Sequence, residues 1–198
     1  MEEAHIGIHG PYRMLGAKNL GTADTFVPGD TPMSQLVILG IGDHHASDRQ
    51  DEIIRTYALG SCIALMLHHP AQKLAAMAHV ALPASRFGVH RRKNNPGYYA
   101  DTAIACLIHS LQSLGLNTAY GGNGLHAKLA GGANVLEKKF YDFEIGDRIT
   151  QELHQLLAKH RIPIVASDTG GTISRTVSME TATGRVTVSS RARAPLYL

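Results

Sequence analysis

The sequence predicts a mixed α/β (α+β) fold, and three observations carry that prediction. Two short apolar runs, 62–67 and 74–82, flank the turn-forming His69-Pro70-Ala71-Gln72-Lys73 and read as a β-hairpin. Two longer segments, 98–114 and 145–157, repeat apolar residues at three- and four-residue steps, the period of an amphipathic helix. Strand and helix patterns are interspersed along the chain, so sheets and helices must pack together.

The elements follow in order. Residues 1–33 are rich in Gly, Pro and Thr without sustained periodicity and read as a flexible N-terminal tail, leaving 34–198 as the folded domain. The run 36–41 is apolar and stops at Gly42-Asp43, the pattern of a buried strand. After the hairpin, Pro83 stops the second strand. Asp101 suits the positive end of the helix over 98–114, and Gly115 suits its end. The second helix ends before Pro163. Residues 162–166 read as a short strand, and 175–179 with 185–189 as a second hairpin around Thr181-Ala182-Thr183-Gly184.

Composition removes several classes. With 198 residues, of which 44% are hydrophobic and 18% charged, the chain has material for a core and is not a disordered polyelectrolyte. The formal charge is +3, and the one basic run, Arg91-Arg92-Lys93, reads as a solvated loop; no nucleic-acid partner is expected. Two cysteines, Cys62 and Cys106, fit a reducing, cytoplasmic compartment better than a disulfide framework. The apolar stretches 58–67 and 74–82 are too short to span a bilayer, and the acidic start is not a signal peptide. Neither membrane insertion nor a leader is expected.

The chemistry centres on Cys62. It follows Leu59-Gly60-Ser61, a turn into an apolar strand, where a sulfur can be presented to a ligand; the alternative is a small buried hydrophobe. His79 stands in the apolar run 75–82 and needs a polar partner, either a main-chain carbonyl or the thiol. If the hairpin turn is centred between Pro70 and Ala71, Cys62 lies opposite His79 on one face. Such an imidazole can take the thiol proton and generate the nucleophile. Thr56, six residues before Cys62, has a hydroxyl able to orient the imidazole, although by spacing alone it reads more readily as an ordinary strand residue. Cys106 lies within the first helix and reads as structural. The adjacent pairs His44-His45 and His68-His69 diverge, and no metal-ligand motif occurs, so no metal site is expected. The pairs Gly121-Gly122, Gly131-Gly132 and Gly170-Gly171 read as tight turns.

These residues resemble a known family. Thr56-Tyr57-Ala58-Leu59-Gly60-Ser61-Cys62 is similar to the signature of the CheD chemoreceptor glutamine deamidases, and Ala76-Met77-Ala78-His79 with Leu82-Pro83 matches its next segment. Tyr99-Ala100-Asp101, residues 127–134, Ile145-Gly146-Asp147-Arg148 and Asp168-Thr169-Gly170-Gly171 resemble later blocks, so the likeness spans about 36–190. Ile149 and Ser174-Arg175 depart from the family pattern.

The resemblance implies packed β-sheets with outer helices, akin to bacterial toxin-type cysteine deamidases. It implies Cys62 as nucleophile, His79 as general base and acid, Thr56 as the group orienting His79, and no cofactor. The implied substrate is a glutamine side chain on the cytoplasmic domain of a chemotaxis receptor, with a CheC-type phosphatase as a further partner. Three other readings stand beside it: a non-catalytic module that regulates such a phosphatase, a cysteine hydrolase acting on receptor methyl esters, and a Cys62–Cys106 redox pair.

Overall fold

The computed structural model describes residues 34–87, 95–117, 124–134 and 145–198. The expected tail over 1–33, the Arg91-Arg92-Lys93 run and Gly121-Gly122 lie outside these residues. Among the described residues ten strands form two five-stranded sheets, and two helices pack beside them. One sheet has the order β1-β3-β8-β9-β10, from Gln35–Leu39, Glu52–Leu59, Arg175–Glu180, Val186–Ser190 and Arg193–Tyr197. The other has the order β2-β5-β4-β6-β7, from His44–Ser47, Leu74–Val80, Ile63–His69, His126–Gly131 and Ile164–Thr169. The helices are α1, Ala100–Ser113, and α2, Ile145–Lys159. No helix among the described residues is long and apolar enough to cross a membrane.

The burial pattern fixes the layers. Every residue of β4 and β5 is buried, so the sheet containing them is covered on both faces. Ile63, Leu65, Ala76, Ala78 and Val80 face α1 and α2, meeting Ile104, Leu107, Ile149 and Leu153. Ala64, Met66, Ala75 and Met77 face the other sheet, meeting Ile54, Leu59, Val177 and Val188. The β4–β5 sheet is therefore the middle layer, which is why its strands are apolar without alternation. In β3, by contrast, Glu52, Ile54 and Thr56 are buried while the residues between them are not, the period of a strand covered on one face.

Three expectations need correction. The strand at Gln35–Leu39 exists, but it is an edge strand with Leu36 44% and Ile38 58% exposed. An apolar run has the same appearance at a solvated edge as in a core. The first helix starts at Ala100, because Pro96–Tyr98 forms a separate 3-10 turn. Finally, the β4–β5 hairpin is centred two residues later in summed register than expected: His69 pairs with Leu74 and Ala64 with His79, across the turn 70–73 in which Lys73 takes φ +52°. The second hairpin and the second helix lie as expected, to within two residues at each boundary.

Candidate active site

The register decides where Cys62 points. A slip of one residue would have sent Cys62 and His79 to opposite faces, but an offset of two preserves the face. Cys62 packs with Ala64 and Met66 into the layer between the sheets. His79 is opposite Ala64 and so shares that face. The two side chains are diagonal neighbours rather than directly opposite ones.

His79 is held from three directions. Its N–H donates to the Asp43 carbonyl at 3.0 Å, and its carbonyl accepts from Gly42 N–H at 2.9 Å, fixing the backbone against the β1–β2 turn. Its ring crosses the sandwich, with Nδ1 2.7 Å from the Thr56 hydroxyl on β3. The same hydroxyl lies 3.0 Å from the Leu39 carbonyl, which can only accept. The Thr56 proton therefore goes to Leu39, the hydroxyl oxygen accepts from Nδ1–H, and Nε2 carries the lone pair. Nε2 is buried and has no hydrogen-bond partner among the described residues. The arrangement leaves a directed base on the face that carries Cys62.

Burial sets the resting charge states. It raises the Cys62 thiol above its ordinary pKa and lowers the His79 imidazole below its own, with the Asp43 carboxylate offsetting part of the latter. Burial thus favours the neutral form of both groups, and no hydrogen bond joins them: His79 Nε2 has no partner among the described residues. Two further histidines share this direction. Burial also lowers His44, whose Nε2 is 3.1 Å from Cys106 Sγ, and His68, with Lys128 adding to the effect at His68. A base whose folded pKa is depressed binds fewer protons in the folded state than in the unfolded one. Stability is then full above the unfolded histidine value of about 6.5 and declines as pH falls from there toward the folded values. The melting temperature is expected to change little above about pH 7 and to fall steadily below about pH 6.5, measured by thermal unfolding across that range.

The turn that delivers Cys62 is tied down by its neighbours. Ala133 N–H donates to the Gly60 carbonyl at 2.7 Å and Gly132 N–H to the Cys62 carbonyl at 2.8 Å. Gly170 N–H bonds the Gly131 carbonyl, and Asn134 N–H the Gly171 carbonyl. Asp168 anchors this last turn through Arg175 Nε at 2.8 Å and through Arg193. A Cβ on Gly146, in the first turn of α2, would sit 2.4 Å from the Gly132 carbonyl, so α2 approaches as closely as glycine allows. These contacts leave a cavity of about 80 Å³ lined by Ser61, Gly132, Ala133, Asn134, Asp147 and the Gly170-Gly171 turn; Cys62 itself does not line it. The sequence marked these glycine pairs as turns without indicating that they wall a site. Asn134 and Asp147 fall within blocks of the family likeness, but nothing in the sequence marks them as lining a cavity.

Thr56→Val tests the orienting bond. The isosteric change leaves Nδ1 and the Leu39 carbonyl unpaired, costing about 1–3 kcal/mol of stability. Thr56→Ser keeps the hydroxyl and is expected to restore most of that stability, read by thermal unfolding.

The fold and the site together define a class: a sandwich of two sheets with one helical layer, carrying a candidate thiol–imidazole site between the sheets. A family model described as CheD chemotactic sensory transduction matches residues 81–190, beginning just after His79. A probable chemoreceptor glutamine deamidase CheD of Symbiobacterium thermophilum is 38% identical over 161 residues, covering 80% of this chain and 94% of that protein. One from Syntrophotalea carbinolica is 40% identical, covering 81% and 97%. The chemoreceptor glutamine deamidase CheD of Thermotoga maritima is 36% identical, covering 76% and 89%. The chain belongs to the CheD family.

Proposed function

We infer that this protein deamidates glutamine side chains of chemotaxis receptors, converting them to glutamate and releasing ammonia. The observation that carries this reading is the Leu39–Thr56–His79 relay, which leaves a lone pair at Nε2 on the face shared with Cys62. The names of the relatives supply the substrate.

In the proposed mechanism the thiol proton of Cys62 passes to His79 Nε2 as sulfur attacks the carboxamide carbon. The C=O electron pair moves to oxygen, and main-chain N–H groups of the Ser61–Cys62 turn are the donors assigned to it here; one such donor is worth about 3–4 kcal/mol. The imidazolium then protonates the leaving nitrogen, the C–N bond breaks, and a thioester remains. Water gives its proton to Nε2, adds to the thioester, and the C–S bond breaks to leave glutamate and the thiol. Throughout, Thr56 keeps the ring in one orientation, and its oxygen accepts from Nδ1–H in both the neutral and the charged state. The reaction needs no redox change.

The product places a carboxylate where a neutral amide stood on the receptor surface, a charge change able to bias a two-state helical assembly. On this reading the substrate is the receptor's cytoplasmic domain and the enzyme works in the cytoplasm. A CheC-type phosphatase is the second partner implied by the family resemblance; co-purification with Cys62→Ala protein tests it apart from catalysis.

The direct test incubates the protein with the cytoplasmic fragment of a cognate receptor and follows tryptic peptides by mass spectrometry. Amide-to-acid conversion at defined glutamines, with ammonia released in equal amount, is expected. Release of methanol from methylated receptor without ammonia would replace the reading by an esterase. Binding without any mass change would replace it by a regulatory module.

A further inference from the structure

The middle sheet ends at β2, which pairs with β5 and leaves its other edge open. The direction of the main-chain groups follows from His79, whose N–H and carbonyl both bond toward this strand, to Asp43 and Gly42. Alternation along β5 turns Met77 and Ala75 the same way, toward His45 and Ser47. The N–H and C=O groups of His44 and Ala46 are therefore left facing the free edge. A cleft of about 330 Å³ runs there. His44 and His45 point to opposite faces of the sheet yet both line it, so it follows the edge itself. Ala46 completes that wall, and His109, Ser110 and Ser113 of α1 form the other. His44 Nε2 reaches Cys106 Sγ on α1 and Ala46 packs on the helical side of the sheet, whereas Cys62 and His79 face the layer between the sheets. The cleft is thus a surface separate from the candidate site.

We propose that β2 and α1 form a docking groove for an extended segment of a partner protein, one that carries a lysine or arginine on each side of a short neutral stretch. Backbone chemistry selects the conformation. The free groups of His44 and Ala46 are matched by a strand added to the sheet, whereas a helix bonds its own main chain and offers them nothing. Charge selects the occupant. The strand His44–Ser47 holds no lysine, no arginine and no proline, so it lacks the residues that commonly block an edge. It is bracketed by two exposed acids, Asp43 and Asp48, and Gly40 N–H holds the Asp43 carboxylate at 2.8 Å. A second copy added through its own β2 would set acid against acid: Asp43 opposite Asp48 if antiparallel, each beside its own counterpart if parallel. Like charges so placed are destabilising. A segment with basic ends meets a carboxylate at both. Between them, alternate residues of the added strand face the His109 ring and the Ser110 and Ser113 hydroxyls, which suit small hydroxyl side chains. The inference does not rest on the deamidase reading, since neither Cys62 nor His79 takes part.

The probe is a fluorescein-labelled peptide, Arg-Thr-Val-Thr-Val-Arg, compared with the same peptide bearing glutamate at both ends. By fluorescence anisotropy at low salt, the wild-type protein is expected to bind the arginine peptide at least about tenfold more tightly than the glutamate one. Asp48→Lys should weaken the arginine peptide about fivefold and strengthen the glutamate peptide. Ala46→Pro removes an N–H that faces the free edge, where a strand tolerates proline. Its melting temperature should stay near the wild-type value while affinity for the arginine peptide falls at least about tenfold. Hydrogen exchange reads the same bonds without any substitution. The arginine peptide should slow exchange of the His44 and Ala46 amides and leave those of His45 and Ser47, already bonded within the sheet, as they were. Binding that leaves the His44 and Ala46 amides unprotected, or that Asp48→Lys does not weaken, would overturn the proposal. So would equal affinity for the two peptides, or no binding of either by the wild type. Wild-type self-association that Ala46→Pro abolishes would overturn it in favour of a second copy of the chain.

Discussion

Cys62→Ala and His79→Ala are each expected to lower kcat on a receptor fragment by at least about 10⁴-fold, and the double variant is expected to be no slower than the worse single one. Residues that act as one unit lose their function together, so their effects do not add. The pH dependence separates the two roles. Burial raises the Cys62 thiol, so without a base only a small fraction is thiolate near neutrality. In His79→Ala the residual rate should therefore climb about tenfold per pH unit until pH passes the raised thiol pKa, above the free-cysteine value of about 8.5. The wild type should show no such slope near neutrality, because its resting pair is already the neutral thiol and free imidazole. Cys62→Ala should leave no residual rate at any pH. A Cys62→Ala protein with wild-type turnover would reduce Cys62 to a packing residue of the inter-sheet layer. A His79→Ala variant with an unchanged pH profile would remove His79 from the proton path.

Much of the fold was legible because its core elements have strong periods. The helices announced themselves through Ile104, Leu107 and Leu111 and through Ile149, Leu153 and Leu157, all buried. The β4–β5 hairpin was visible as two apolar runs around a turn. Its register was not visible, since four turn residues and two turn residues look alike in a sequence and Lys73 gives no sign of its positive φ. The strand His44–Ser47 is too short and polar to show a period. The strand Arg193–Tyr197 contains Pro195, which argues against a central strand and is tolerated here because β10 is an edge.

The site was legible only in part, for a related reason. That Cys62 and His79 share a face follows from the parity of one hairpin, and an offset of two residues left it intact. That Thr56 meets His79 depends on which sheet covers which, and nothing in a spacing of 23 residues encodes a contact across two sheets. The family likeness supplied that pairing before any geometry did. The physical content the structure adds is directional: the Leu39 carbonyl assigns the Thr56 proton, and the Thr56 oxygen assigns the imidazole tautomer.

Gly131→Ala is expected to be the most damaging substitution outside the three proposed site residues. Gly131 ends β6 with φ +119°, a conformation that L side chains rarely adopt. A Cβ there would stand 2.2 Å from the Cys62 carbonyl oxygen and 3.2 Å from the Ile63 Cα, both main-chain atoms that cannot turn aside. The strand or the Cys62 turn must move, and the Cys62 carbonyl is already held by Gly132 N–H. Combined backbone strain and overpacking cost about 3–4 kcal/mol, which lowers the melting temperature by roughly 10 °C in a domain of this size. Displacing sulfur by about 1 Å relative to Nε2 lowers kcat by a further 10²-fold or so, even in molecules that fold. Gly115→Ala isolates the conformational part, because Gly115 also has positive φ, +96°, but no atom lies within 4 Å of its Cβ position. It should cost about 1–2 kcal/mol, the left-handed penalty alone, and leave turnover unchanged. Equal losses of stability and activity in the two variants would mean that the close approach of β6 to Cys62 does not govern the thiol's position. A large gap between them would make the packing of a glycine against the Cys62 carbonyl part of how this fold positions Cys62, the proposed nucleophile.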